Sequence, residues 1–232
     1  MARRATHFKT ARENPNTFII GGGNEFAPPG TEADRDPQAV ANLKKAYDLL
    51  SYDIFALSPS DAKTLEHTRV PRSSTWTGPV ARPEVLTKQS QDGLLAFVVF
   101  PDSGQPDPDM EKELIRVAAS LRDTAKYNLI IGISTWGASR ETAFIEKREP
   151  VFDVILGSGE GPGYAGLYLR DNRVLWVRAF TKGKNVHSVT FPALPAPGVK
   201  AVWDPEVSAF TRSAPLGDAV ASAPEIQVIF NP

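Results

Sequence analysis

Within residues 151–163, VFDVILGSGEGPG, a short apolar run gives way abruptly to glycine. The run is too short for an ordinary helix and reads as a buried strand that ends in a loop at the carboxyl edge of a sheet. Ligands of open α/β sheets bind at that edge. Glycine lets backbone approach a small group closely, while Glu160 is the only ionisable side chain that the loop offers. The segment therefore has the shape of a site and few reactive groups.

Two other apolar runs end the same way. Residues 17–20 lead into Gly21-Gly22-Gly23-Asn24, and residues 52–57 lead into Ser58-Pro59-Ser60-Asp61. Amphipathic segments separate them. Residues 2–14 place Ala5, Phe8 and Ala11 on one face and stop at Pro15, and from Asp36 and Pro37 the apolar residues Val40, Leu43, Tyr47 and Leu50 keep helical spacing. Pro28, Pro29 and Gly30 predict a loop between these segments. Residues 70–88 read as a meander, 94–100 as a strand, 101–109 as a proline-rich loop and 110–125 as a helix. A strand at 129–134 ends at Thr135-Trp136-Gly137, and a short helix over 139–148 returns the chain to the opening strand. Strands at 166–170 and 174–180 flank Asp171-Asn172 as a hairpin, residues 186–191 predict a third antiparallel strand, and 225–230 predicts a last one. Sequence order thus gives an α/β domain over residues 1–191 and a Pro/Ala-rich extension, 192–232, packed on the same domain.

Composition narrows the function classes. A chain of 232 residues with 41% hydrophobic content can bury a full core. Net charge of -1 supplies no general field for nucleic acid or anionic membrane, so neither is an expected partner. The absence of cysteine removes disulfides, thiolate metal sites and cysteine nucleophiles. No apolar run approaches the ~20 residues of a membrane span. Met1 leads directly into a basic amphipathic segment without the apolar core of a signal peptide.

The runs ARRATHFKTARENPNTFII, YDLLSYDIFALSPSDA, NLIIGIS, FDVILGSG and VRAFTKGKNV, in this order, resemble the catalytic domain of 5'-nucleotidases within the calcineurin-like metallophosphoesterases. The resemblance covers roughly residues 2–189. It implies a four-layer α/β/β/α sandwich with two divalent metals at the carboxyl ends of the strands, bridged by a hydroxide that attacks phosphorus in line. It also implies a first strand before Ala2, lacking here, and hence upstream residues with an export signal. The expected location is then periplasmic or exported, and otherwise cytoplasmic.

Metal ligands must donate lone pairs from carboxylate, amide oxygen or neutral imidazole. At the matching positions this chain has poorer donors. Asn24 stands for the bridging aspartate, Pro59 and Ser60 for the asparagine and histidine, Thr135 for a histidine, and Gly159 and Gly161 for two more. Charged side chains left on these loops are Glu25, Asp61 and Glu160. The expected cleft, lined by Asn24, Ser58, Pro59, Ser60, Asp61, Thr135, Trp136, Gly159, Glu160 and Gly161, is therefore degenerate: no catalytic residue, no metal ligand set and no cofactor are assigned. A single weakly bound divalent metal held by Asn24, Asp61 and the missing upstream segment is the alternative. Trp136 either fills the vacated space or is an ordinary half-buried aromatic.

Other chemistries find little support. The three histidines, at positions 7, 67 and 187, are too scattered for a histidine-rich site and read as surface residues, with His187 alone placed to face the cleft. Gly157-Ser158-Gly159 lacks nucleophile-elbow spacing, and residues 157–163 lack the Lys-Ser/Thr pair of a phosphate-binding loop. Asp61 with Glu160 as an acid/base pair competes with two solvated loop carboxylates. The expected role is a non-enzymatic module that binds a protein partner or a small anion. A reduced-site phosphoesterase, or a subunit of an exported complex, is the alternative.

Overall fold

The computed structural model describes residues 1–27, 31–102, 105, 107–180 and 183–230. The loop predicted at Pro28, Pro29 and Gly30 lies outside them, as do Ser103, Gly104 and Pro106 of the proline-rich loop.

The main sheet has six strands, which from edge to edge cover residues 84–89, 94–99, 129–134, 154–157, 174–178 and 164–169. β4 (Leu94–Val99), β5 (Leu129–Ser134), β6 (Val154–Gly157) and β8 (Val174–Arg178) run parallel, while β3 (Glu84–Gln89) and β7 (Tyr164–Leu169) close the two edges antiparallel. The four parallel strands are almost entirely buried, because helices cover one face and other strands the second. Period-two alternation then sorts their side chains. Ala96, Val98, Ile130, Ile155 and Trp176 meet Leu114 and Ala118 of α4 (Pro108–Asp123) and Phe144 and Ile145 of α5 (Ala138–Lys147).

Leu95, Phe97, Val99, Ile131, Ile133, Leu175 and Val177 point the other way, into a core shared with a second layer of strands. That layer holds the parallel pair β1 (Ile20–Gly21) and β2 (Ile54–Phe55) and the antiparallel pair β9 (Asn185–Thr190) and β10 (Phe210–Pro215). Behind it, Ile19, Phe55 and Leu57 pack on Phe8 of α1 (Ala2–Ala11), Val40, Tyr47 and Leu50 of α2 (Pro37–Leu50) and Leu65 of α3 (Pro59–His67). Three apolar clusters between four layers make the α/β/β/α sandwich.

Several elements differ from their predicted form. The strand at 17–20 pairs only at Ile20 and Gly21. The predicted meander ends in β3, paired with β4 from Glu84. The hairpin turns through Arg170, Asp171 and Asn172, all at positive φ, and not through two residues alone. β9 leaves the hairpin and pairs with β10, a strand the sequence reading missed. Residues 224–230 form a helix, α6 (Pro224–Phe230), in place of the predicted strand. Ile226 and Ile229, three residues apart, both bury against Ala46 of α2, a spacing that a helix satisfies and a strand does not. Beyond residue 191, Ala201, Trp203 and Ala209 belong to the inter-sheet core, and Trp203 Nε1 donates to the Asp153 carbonyl at 2.8 Å.

Candidate functional site

The carboxyl ends of β1, β2, β5 and β6 converge and interlock. Gly23 donates its N–H to Ser158 Oγ at 3.1 Å, and Ser158 Oγ in turn donates to the Ser134 carbonyl at 3.0 Å. Glycine is required there, since a Cβ on Gly23 would stand 2.7 Å from Ser58 Cβ and 2.8 Å from Thr135 Cγ2. Gly159 sits at φ +86° with Thr135 O and the Asn24 amide over the place of a Cβ, at 2.8 and 3.3 Å. The backbone of one sheet's loops thus lies against the loops of the other.

Asp61 anchors this junction. It begins α3 in a capping box: Ser58 Oγ accepts the Asp61 N–H at 3.1 Å, and the Asp61 carboxylate accepts the Ser58 N–H at 2.9 Å. Pro59 takes the first helical turn, where its missing N–H costs nothing. The same carboxylate reaches across to the β1 loop and accepts N–H of Asn24 at 2.6 Å and of Phe26 at 2.9 Å. Ser58 Oγ donates the fourth bond at 2.9 Å. Asp61 has no exposed surface, and burial pushes its carboxyl above the ordinary aspartate value, with the Phe26, Ser58 and Asn24 donors pulling the other way. Asn24 itself turns at φ +66°, in the left-handed region that asparagine tolerates.

Other acidic groups are committed elsewhere. Glu25 accepts from Arg4 at 3.1 Å and from Tyr47 Oη, and burial with the Glu25 charge beside it raises the Tyr47 phenol well above its ordinary value. Ser60 Oγ donates to the Ala27 carbonyl and to Glu32. Glu160 is exposed, and no hydrogen bond joins it to Asp61. Gly161 is exposed at φ +108°. Thr135 Oγ1 donates to Asp102 at 2.6 Å. Trp136 turns toward α5, meets Phe100 at a tilt and Phe144 edge to face, carries the Arg140 guanidinium at 3.7 Å from its ring centre, and donates Nε1 to the Pro101 carbonyl. His67 is exposed, and His187 of β9 lies against Phe180, where both of its ring nitrogens lack a partner among the described residues.

Sequence reasoning missed the support under the glycine loop. Arg178 of β8 and Glu141 of α5, both without exposed side-chain surface, form an ion pair. Arg178 also donates to the carbonyls of Pro162 at 3.0 Å, Gly159 at 3.1 Å and Glu160 at 2.9 Å, and Trp176 Nε1 donates to Glu141 at 2.9 Å. Burial raises the Glu141 carboxyl, with the Arg178 charge opposing it. Only the strongly apolar context of LYLRDNRVLWVRAF hinted that Arg178 points inward.

The two-metal chemistry implied by the resemblance needs several anionic or imidazole donors with free lone pairs. Among the described residues no group of three or more His, Cys, Asp or Glu side chains is placed to hold a metal ion. Asp61 Oδ2 accepts three of its donors and Oδ1 the fourth, the Phe26 N–H. Among the described residues, the donors at this junction do not fit a dinuclear metal centre.

No family model matches the sequence, and no curated protein matches it. Solved structures do. A sulfate thiohydrolase, SoxB, from Thermus thermophilus in complex with glycerol shares 13% identity at a TM-score of 0.70, over 99% of this chain and 45% of its own. A 5'-nucleotidase precursor from Thermus thermophilus shares 16% at 0.66, over 99% and 52%, and the NAD nucleotidase of Haemophilus influenzae 13% at 0.61, over 99% and 55%. The chain spans about half the length of these structures. At such identities the likeness speaks to the fold: the chain has the fold of the 5'-nucleotidases and SoxB, the α/β/β/α sandwich of the metallophosphoesterase superfamily.

Proposed function

We propose that the chain is a catalytically degenerate domain of the 5'-nucleotidase type that serves as a non-enzymatic binding or scaffolding module. The observation that carries this reading is the Asp61 carboxylate, buried and committed to three backbone N–H groups and a hydroxyl. With three donors on Oδ2 and one on Oδ1, this carboxylate serves as a fastener between two loops. Arg178 supports the rest of the reading by drawing the carbonyls of residues 159, 160 and 162 inward, which leaves the loop's outer side to face a small anion or a partner backbone.

A rival reading follows from the hydrolases that share the fold: a phosphoesterase with one weakly bound metal on Asn24 and Asp61. Elemental analysis of the purified chain, with a generic phosphatase assay in added manganese, separates the two. The expected result is no stoichiometric metal and no turnover above a heat-denatured control. Stoichiometric metal with turnover lost on Asn24→Ala would establish the rival.

A further inference from the structure

α3 ends at His67, and the chain reverses through Arg69 at φ +57°, so that the Val70 N–H bonds back to the Leu65 carbonyl at 2.9 Å. The reversal leaves a groove of about 350 Å³ between the outer side of α3 and the returning strand of backbone, floored by Leu57, Ala62, Leu65, Val70 and Pro71. A space of this size accepts a large aliphatic or aromatic side chain with part of its neighbours. The rim is charged. Arg69 and Arg72 are both exposed, and among the described residues neither has an ion-pair partner; the single rim carboxylate, Glu66, leaves a positive surplus.

Arg72 also donates to the Gly78 carbonyl at 3.3 Å, a neutral partner that leaves its charge uncompensated. An apolar floor under a cationic rim is complementary to one kind of occupant.

We propose that this groove docks an acidic segment of a partner protein, which seats one apolar side chain over Leu57 and Leu65 and pairs its carboxylates with Arg69 and Arg72. The groove's lining shares no residue with the polar junction at the strand ends, so the proposal holds whether or not that junction is catalytically silent.

The test pans the immobilised full chain against displayed random short peptides and measures the enriched sequences by fluorescence anisotropy. Two variants accompany it, Arg69→Glu with Arg72→Glu, which reverses the rim, and Ala62→Trp, which fills the floor; thermal melts establish that each folds. The expected peptides carry Asp or Glu around one large apolar residue and lose about tenfold or more in affinity on the reversed rim and on the filled floor. No enrichment, enrichment without acidic residues, or equal affinity for the reversed rim overturns the proposal. A concentration-dependent dimer abolished by Ala62→Trp overturns it as well, because the occupant is then a second copy of this chain.

Discussion

Replacing Asp61 by alanine removes the acceptor from a junction that spans two loops. The Phe26 and Ser58 N–H groups, each bound at 2.9 Å, lose their only partner, whereas the Asn24 N–H keeps Ser58 Oγ at 3.2 Å. A buried donor left unpaired costs about 1–3 kcal/mol, so the pair costs about 2–6 kcal/mol, and release of a desolvated charge offsets part of this. A net loss of about 3 kcal/mol lowers the melting temperature by about 6–12 °C in a chain of this size. Asp61→Asn should do no better, since an amide offers one oxygen where two accept and turns its own N–H₂ toward donors. Differential scanning calorimetry on both variants, with and without manganese, provides the measurement. An unchanged or raised midpoint would refute the claim that the carboxylate is a fastener. So would a manganese-dependent rise in the parent chain that both variants lose, because that is how a ligand behaves.

Further outcomes test the neighbouring features. Glu141→Ala strands the fully buried Arg178 charge and should cost about 3–5 kcal/mol in urea unfolding, while Glu141→Leu combined with Arg178→Met should cost less than either single change; additive losses would count against a coupled pair. Gly159→Ala places a Cβ 2.8 Å from Thr135 O at a positive φ, and a loss below about 1 kcal/mol would show that the loop relaxes freely. Trp203→Ala should cost about 3–5 kcal/mol, and a near-neutral result would mean that residues beyond 191 are dispensable to the core. Burial lowers the His187 imidazole below its ordinary 6.5, so under mildly acidic conditions the unfolded chain binds more proton and stability falls as pH drops below that value. His187→Phe should flatten this part of a melting-temperature profile between pH 8 and pH 5; an unaltered profile would exclude the imidazole as its source.

Local chemistry made much of the architecture legible. Asp36 accepts the N–H groups of Gln38 and Ala39 ahead of α2, as its place before Pro37 implies. The apolar runs of β4, β5 and β6 could be buried on both faces in only a few ways, and they stack in parallel. Where two periods fit one short string, the reading failed: EIQVIF alternates well enough for a strand, and only Ala46, distant in sequence, selects the helix. β10 was missed because FTRSAP has neither an apolar run nor clear alternation, and its partner lies in β9. The loops that converge were identifiable from their glycines. Their interlocking was not, because a bond such as Gly23 N–H to Ser158 Oγ joins segments that the sequence keeps far apart. Arg178 escaped notice for a related reason, since an arginine in a strand reads as solvated until its acceptors are in view.

α1 and α6 pack side by side, and the Ala223 N–H bonds to the Ala2 carbonyl at 3.2 Å. Both extremities of the described chain are therefore moored at one pole of the sandwich. Melting of either helix would strip cover from Ala46 of α2 and so loosen the other.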